Sequence, residues 1–292
     1  MSLLARSRTE VGHYASLVRF SHSIFALPFA LQGAWLAAGG IPNPRTLAWI
    51  LLAAVAARTA AMSFNRLVDR DIDGRNPRTK SRELPSGALS QSSVVALVLV
   101  SSALFIAVAF WINPLCGKLS PAVLAVLLFY SWTKRFTWLC HAVLGLSLGL
   151  APLGAWLAVR GTIDAQAQIP LLLALAVLTW VAGFDLIYAC QDAEFDRGEG
   201  LHSIPARFGV ARALWVARVA HVLTVISLSL VLWRAELGWI YGAAIALAAL
   251  VLVFEHSIVR ADDLSRVNMA FFTLNGWIGV GLFVGMALDL AL

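Results

Sequence analysis

The chain has 292 residues, of which 60% are hydrophobic and only 13% charged, and its mean hydropathy is +0.80; a soluble globular domain carries about 25% charged residues. That balance excludes a fold solvated by water alone. The net charge of +6 argues against nucleic acid as a partner, because it sits in short clusters beside apolar runs rather than on one basic face.

Taken in chain order, the first 16 residues hold Arg6, Arg8, Glu10 and His13. They lack the apolar core of a cleavable signal peptide and read as an interfacial segment leading into a first span. Nine apolar stretches then follow, at about 17–38, 46–68, 92–112, 117–133, 139–160, 168–190, 210–232, 237–258 and 268–290. About 20 apolar residues in a helix cross a bilayer core, so the expected fold class is all-α integral membrane, with about nine transmembrane helices; the fourth stretch is the shortest. Cys116, Cys140 and Cys190 lie in or beside these stretches without close spacing and read as small buried hydrophobes, not as a disulfide or metal framework.

On this nine-span map, one set of loops collects Arg6, Arg8, Arg19, then Arg66 to Arg82, then Lys134 and Arg135, then Arg197 to Arg218, then Arg260 and Arg266. Together these are 17 of the 22 basic residues. The opposite loops hold Arg45, Lys118, Arg160 and Arg234, one each, and Arg58 lies inside a span. Basic loops mark the cytoplasmic side, so the N-terminus is expected in the cytoplasm and the C-terminus outside.

Two polar segments interrupt the Leu, Ala and Val background, at Ser63–Ser90 and Phe184–Gly209, and carry more than half of the acidic residues. In the first, Asn65, Asp69 and Asp73 are spaced i, i+4, i+8. If the second span continues through them as helix, all three share one face and Asp71 points away. Gly74 and Pro77 then end the helix. In the second, Asp185, Asp192 and Asp196 are expected on one stripe of one helix, with Asp185 deepest, until Gly198 and Gly200 break it. Like charges at i, i+4 repel and need neutralising, by arginines or by a divalent cation. An ionisable group at the depth of Asp185 or Arg58 is costly and reads as functional.

Both segments share one plan: a span, an aspartate stripe at its end, then a basic loop with Gly and Pro. The plan suggests one domain with a pseudo-repeat, about 17–133 and 139–258, followed by a last span at 268–290. Two facing carboxylate stripes suit a diphosphate, because Mg²⁺ is bound by one or two carboxylates together with substrate phosphates and water. Basic residues of the adjoining loops can neutralise the remainder.

These residues resemble the UbiA superfamily of intramembrane prenyltransferases. The NxxxDxxxD pattern falls on Asn65, Asp69 and Asp73, followed by a similar basic loop ending in RELPSG. The second motif, DxxxD, falls on Asp192 and Asp196, with Asp185 and Tyr188 upstream. The YxxxKR segment falls on Tyr130, Lys134 and Arg135. Many members have Asn-Asp where this chain has Asn65-Arg66. The wording FNRLVDRDID is similar to bacterial members that prenylate a hydroxybenzoate or a dihydroxynaphthoate in quinone biosynthesis.

The resemblance implies a helical bundle around a central cavity open to lipid, a polyprenyl diphosphate and an aromatic acid as substrates, and Mg²⁺ held by Asp69, Asp73, Asp192 and Asp196. It implies that Asn65 orients a metal ligand or a phosphate, and that Tyr130, Lys134, Arg135 and Tyr188 belong to the substrate site. Arg58, seven residues before Asn65 and on the same face, is a candidate for the carboxylate of the acceptor; a structural pairing with Asp185 is its alternative. Asp185 is a candidate to stabilise an allylic cation or to accept the ring proton. His202 and Arg207 are candidates for a lid, and Arg19 and His22 for a head-group role. Two other readings compete: 1,4-dihydroxy-6-naphthoate in place of 4-hydroxybenzoate as acceptor, and a transporter of an anionic substrate, although transporter charges gather near the bilayer midplane and these gather at one face.

Overall fold

The structure is a computed structural model and describes residues 12–14, 16–17 and 23–292. Every regular element among them is helical, as the absence of water in a bilayer core demands of a spanning chain that is not a closed barrel. The elements in order are α1 (Ser23–Ala38), α2 (Pro44–Arg75), α3 (Gln91–Ile112), α4 (Pro114–Thr133), α5 (Cys140–Arg160), α6 (Gln168–Ala189), the short α7 (Ala193–Gly198) and α8 (Ile204–Phe208), then α9 (Val210–Arg234), α10 (Trp239–Ile258) and α11 (Asn275–Asp289). Eight of the helices are long and apolar enough to cross a membrane, and α1 adds a shorter apolar helix at Phe25–Ala38. Each of the nine expected spans has its helix, and the shortest expected one is met by the 20 residues of α4.

Helix ends follow local chemistry. Asn43 accepts the Arg45 amide hydrogen bond at 2.9 Å and Pro44 opens α2, where a missing N–H costs nothing. Asn113 ends α3 and starts α4: its Oδ1 accepts from the Cys116 amide at 2.8 Å, while its Nδ2 donates to the Leu157 carbonyl of α5 at 2.9 Å. Helix α2 does not stop with its apolar residues; it runs 32 residues to Arg75 and so carries Asp69 and Asp73 on its last turns.

Helix α6 is the centre of the bundle. In its apolar window 61% of residues are buried, against 22–44% for the other spans. It packs on α5 and α9, and α5 packs in turn on α1. The approach is set by glycine: a Cβ at Gly145 of α5 would sit 2.3 Å from the Leu178 carbonyl oxygen of α6, and one at Gly33 of α1 would sit 2.3 Å from the Pro152 oxygen of α5. Small residues allow such backbone approach where no hydrophobic driving force separates lipid from protein. Trp156, Trp180, Tyr241 and Phe29 fill the interior. The outer face shows Leu99, Val100, Leu250 and Val253 to the surroundings, with Trp111, Trp233, Trp239 and Trp277 also exposed, as a lipid-facing surface with interfacial indoles would.

A π-helical turn, Met269–Leu274, precedes α11. The Asn275 side chain donates to the Ala270 carbonyl at 3.0 Å and accepts from the Trp180 indole at 2.7 Å. This supplies hydrogen bonds that the wider turn would otherwise forgo.

The second polar segment departs from the expected single helix. Helix α6 ends at Ala189, a 3₁₀ turn covers Cys190–Asp192, and α7 begins at Ala193. The tighter turn, with three residues in place of 3.6, changes the angular spacing, so Asp185, Asp192 and Asp196 do not form one continuous α-helical stripe.

Candidate active site

The end of α2 meets the end of α4 and the loops after α2 and α6. Asp69 is 3% exposed and is held on both oxygens. Lys134 Nζ donates to Oδ2 at 2.7 Å, Asn65 Nδ2 to the same oxygen at 3.2 Å, and Arg135 Nη2 to Oδ1 at 3.1 Å. Arg135 is itself fixed by the Ser131 and Val68 carbonyls at 2.9 and 2.8 Å. Lys134 caps the C-terminus of α4, where the helix dipole favours a cation. One turn further along α2, Asp73 receives Arg82 Nη1 on both oxygens at 2.7 Å, and the buried Arg66 lies 4.0 Å away.

The loop after α2 folds back because Asn76 accepts from the Arg78 amide at 2.9 Å and Thr79 Oγ1 donates to the Asp73 carbonyl at 3.0 Å. This turn aims Arg78 across to the second segment. Its Nε donates to Asp192 Oδ1 at 3.0 Å, its Nη2 to Asp192 Oδ2, and its Nη1 to the Tyr188 hydroxyl at 2.8 Å. Asn76 Nδ2 adds a contact to Asp192 at 3.2 Å. Above this, Arg75 grips Glu199 with Nε and Nη2 at 2.6–3.1 Å. Burial opposes the charge of the Arg78 guanidinium, but its hydrogen bonds and attraction to Asp192 leave its pKa raised. Asp196 accepts from Ser203 Oγ at 3.0 Å, and Ser203 in turn caps α8.

Deeper on α6, Asp185 Oδ2 lies 2.7 Å from His141 Nδ1 on the first turn of α5. Tyr130 of α4 stands within electrostatic reach of both Asp185 and Asp69.

The structure thus gathers the residues expected from sequence into one end of the bundle. Asn65, Asp69, Asp73, Lys134 and Arg135 form one group, Tyr188, Asp192 and Asp196 a second, and Arg78 joins them. Arg58 lies on α2 two helical turns from Asn65, half-buried, and the partner of Asp185 is His141. His202 supplies its amide to the Lys134 carbonyl at 2.6 Å, which ties the second loop to α4. Arg207 is exposed and stacks over Phe208. Arg19 and His22 lie outside the described residues. Sequence reasoning did not single out His141, Asn76 or Ser203. His141 carried a signal in retrospect: it is a histidine opening an apolar span, six residues after Arg135.

The donor set is made of carboxylate oxygens, the ligand class of hard cations such as Mg²⁺. Five acidic groups, Asp69, Asp73, Asp192, Asp196 and Glu199, meet six cations, Arg66, Arg75, Arg78, Arg82, Lys134 and Arg135, while Asp185 meets His141. Among the described residues no three His, Cys, Asp or Glu side chains converge as a metal-binding group. The carboxylate oxygens fit a hard cation in kind, and in this structure Arg78 occupies those of Asp192 and Arg82 those of Asp73.

Residues 26–277 match the UbiA prenyltransferase family. The chain is 32% identical over 292 residues to a 4-hydroxybenzoate octaprenyltransferase of Pseudomonas aeruginosa (strain UCBPP-PA14), covering 99% of this chain and 97% of that one. It is also 32% identical over 285 residues to a mitochondrial 4-hydroxybenzoate polyprenyltransferase of Arabidopsis thaliana, covering 96% and 69%. Among solved structures, the apo form of a UbiA homologue from Aeropyrum pernix K1 superposes with a TM-score of 0.84 at 36% identity, over 92% of this chain and 98% of that one. A UbiA homologue from Archaeoglobus fulgidus, solved with GPP and Mg²⁺, shares the fold at a TM-score of 0.74 and 22% identity, over 96% and 100%. With a match that spans most of the bundle, and with both aspartate motifs at one end of it, the chain belongs to the UbiA prenyltransferase family.

Proposed function

We propose that this membrane prenyltransferase moves a polyprenyl group from its diphosphate to the ring of an aromatic acid, 4-hydroxybenzoate, in respiratory quinone biosynthesis. The observation that carries the reading is the meeting of two carboxylate pairs, Asp69 with Asp73 and Asp192 with Asp196, across Arg78. The names of the relatives support the acceptor, and the Archaeoglobus structure's GPP and Mg²⁺ support the donor and the metal. The transporter reading gives way to family membership.

When bound, Mg²⁺ draws charge from the diphosphate leaving group as a Lewis acid; Asp69, Asp73, Asp192 and Asp196 would hold it. Asn65 keeps Asp69 oriented. Lys134, Arg135, Arg78 and Arg82 are the cations available to the diphosphate oxygens when the carboxylates are taken. Tyr188 keeps Arg78 in place through its hydroxyl. Tyr130 and Asp185 adjoin the first carboxylate group on its deeper side, where the aromatic ring would stand; Asp185 accepts the ring proton, and Arg58 recognises the acceptor carboxylate in a two-pronged geometry. The two polar segments occupy matching places in the halves of a pseudo-repeat, about 17–133 and 139–258, within one domain. The basic loops support the cytoplasmic side of the inner membrane for this end of the bundle.

The test is incubation of purified protein with geranyl diphosphate or a longer homologue and Mg²⁺, with 4-hydroxybenzoate and 1,4-dihydroxy-6-naphthoate in parallel, and mass spectrometry of the extracted lipid. An EDTA-sensitive prenyl adduct of 4-hydroxybenzoate is expected. An adduct of the naphthoate alone would move the enzyme to menaquinone synthesis, and no adduct of either would overturn the aromatic acceptor.

A further inference from the structure

The pair formed by His141 and Asp185 is asymmetric. The His141 side chain is 5% exposed and that of Asp185 24%. One end is therefore packed away and the other is open. His141 sits on the first turn of α5, beside Cys140, whose Sγ donates to the His202 carbonyl at 3.5 Å, while the His202 amide donates to the Lys134 carbonyl at 2.6 Å. The imidazole is thus mounted where α4, α5 and the second loop are pinned together. Facing a carboxylate oxygen, Nδ1 acts as donor. Its bond fixes Oδ2 of Asp185 and leaves Oδ1 as the oxygen not taken by this bond. Tyr130 lies within electrostatic reach of Asp185 and Asp69, and Asp196 within reach of His141 and Lys134, so the pair borders both carboxylate groups.

We infer that His141 is a positioning residue for prenyl transfer, holding one oxygen of Asp185 so that the other is presented to the aromatic acceptor. The inference rests on the reading of Asp185 as the proton acceptor. In that step the bond from the allylic carbon to the diphosphate oxygen breaks, its electron pair leaving with the diphosphate. A ring carbon beside the phenol hydroxyl bonds to the allylic carbon. The C–H electron pair then returns to the ring and the proton passes to the open oxygen of Asp185. His141 exchanges no proton; it restricts the carboxylate to one rotamer, the contribution that oriented catalytic groups make.

The experiment uses the full chain in detergent with geranyl diphosphate, Mg²⁺ and the aromatic acid that the wild type prenylates, either unlabelled or deuterated at the reacting ring positions. His141→Ala is expected to lower kcat by roughly tenfold to a hundredfold, the scale of one hydrogen bond to a charged group. KM for geranyl diphosphate should stay within about twofold of wild type, since the missing bond is not used in ground-state binding of the diphosphate. A primary isotope effect on kcat should emerge as proton loss becomes rate-limiting. His141→Asn, whose amide reaches the place of Nδ1, should recover most of kcat, and His141→Gln, whose amide reaches the place of Nε2, should not. The Asn and Gln pair decides the matter even if the Ala variant does not fold. Wild-type kcat without an isotope effect in His141→Ala, or rescue by Gln in place of Asn, overturns the inference. Asp185→Asn separates it from its premise: wild-type turnover in that variant sinks the proton-acceptor reading itself, whereas an impaired Asp185→Asn beside unimpaired His141 variants sinks only the role of His141.

Discussion

Asp69 offers the sharpest separation between a structural ion pair and a catalytic group. In the structure its carboxylate is buried and held by Lys134, Arg135 and Asn65, so Asp69→Asn leaves Lys134 and Arg135 short of a counter-charge. Removing one member of a fully buried pair costs about 3–5 kcal/mol. Here both cationic side chains are 30% exposed and water compensates them in part, which brings the cost to about 1–2 kcal/mol. A second substitution, Lys134→Met, removes the most closely paired cation. If Asp69 served only that pair, Asp69→Asn would keep turnover and lose only stability, which the double variant restores. If Asp69 holds the metal, stability returns while turnover stays at least about a hundredfold down, on the scale of losing one preorganised electrostatic group. Thermal stability in detergent and kcat with geranyl diphosphate measure the two quantities separately. Turnover within about threefold of wild type in Asp69→Asn, or its return in the double variant, would refute the metal assignment. The single Lys134→Met variant measures the share of the loss that belongs to Lys134 as a contact of the diphosphate.

Arg58→Ala should raise KM for the aromatic acid at least about tenfold, as loss of a two-pronged pair to a carboxylate does, and leave KM for geranyl diphosphate unchanged; an unchanged acceptor KM contradicts its assignment. Gly145→Ala would place a methyl 2.3 Å from the Leu178 carbonyl oxygen and should lower stability by about 1–3 kcal/mol, seen as a lower melting temperature, while Gly154→Ala, with open space at its Cβ, should not. The hydrogen bond from Arg75 lowers the pKa of Glu199. A depressed carboxylate stabilises the folded contact above its ordinary pKa and loses that contribution as pH falls through the lowered value. The link between the two loops should therefore hold through the usual carboxylate range, about pH 4, and loosen only in stronger acid, read as a spin-label distance between the loops; loosening already above that range contradicts it.

Much of the site was legible because its spacing is helical. Asn65, Asp69 and Asp73 could share a face only if α2 ran on past its apolar residues, and it does. Lys134 was readable as a partner because it sits one turn beyond Tyr130 at the end of an apolar run. Asp192 and Asp196 were legible as residues but not as geometry: a 3₁₀ turn at Cys190–Asp192 leaves no mark in the composition, and it changes where each carboxylate points. Arg207, the lid candidate, is exposed and lies over Phe208, a placement that no periodicity within its loop encodes.

The sequence alone determined the solvent, the helical class and the number of spans, since those depend on hydropathy and length, which are local and additive. It also narrowed the candidates for chemistry, because charge is scarce in this chain and costly in lipid. Only the tertiary structure decided the pairings: Arg78 with Asp192, Arg82 with Asp73, Arg75 with Glu199 and His141 with Asp185. Those contacts, three of which join residues 44–124 positions apart, depend on how close α5 and α6 can approach at Gly145 and on how the turn at Asn76 aims its loop. No periodicity within a single segment encodes such distances.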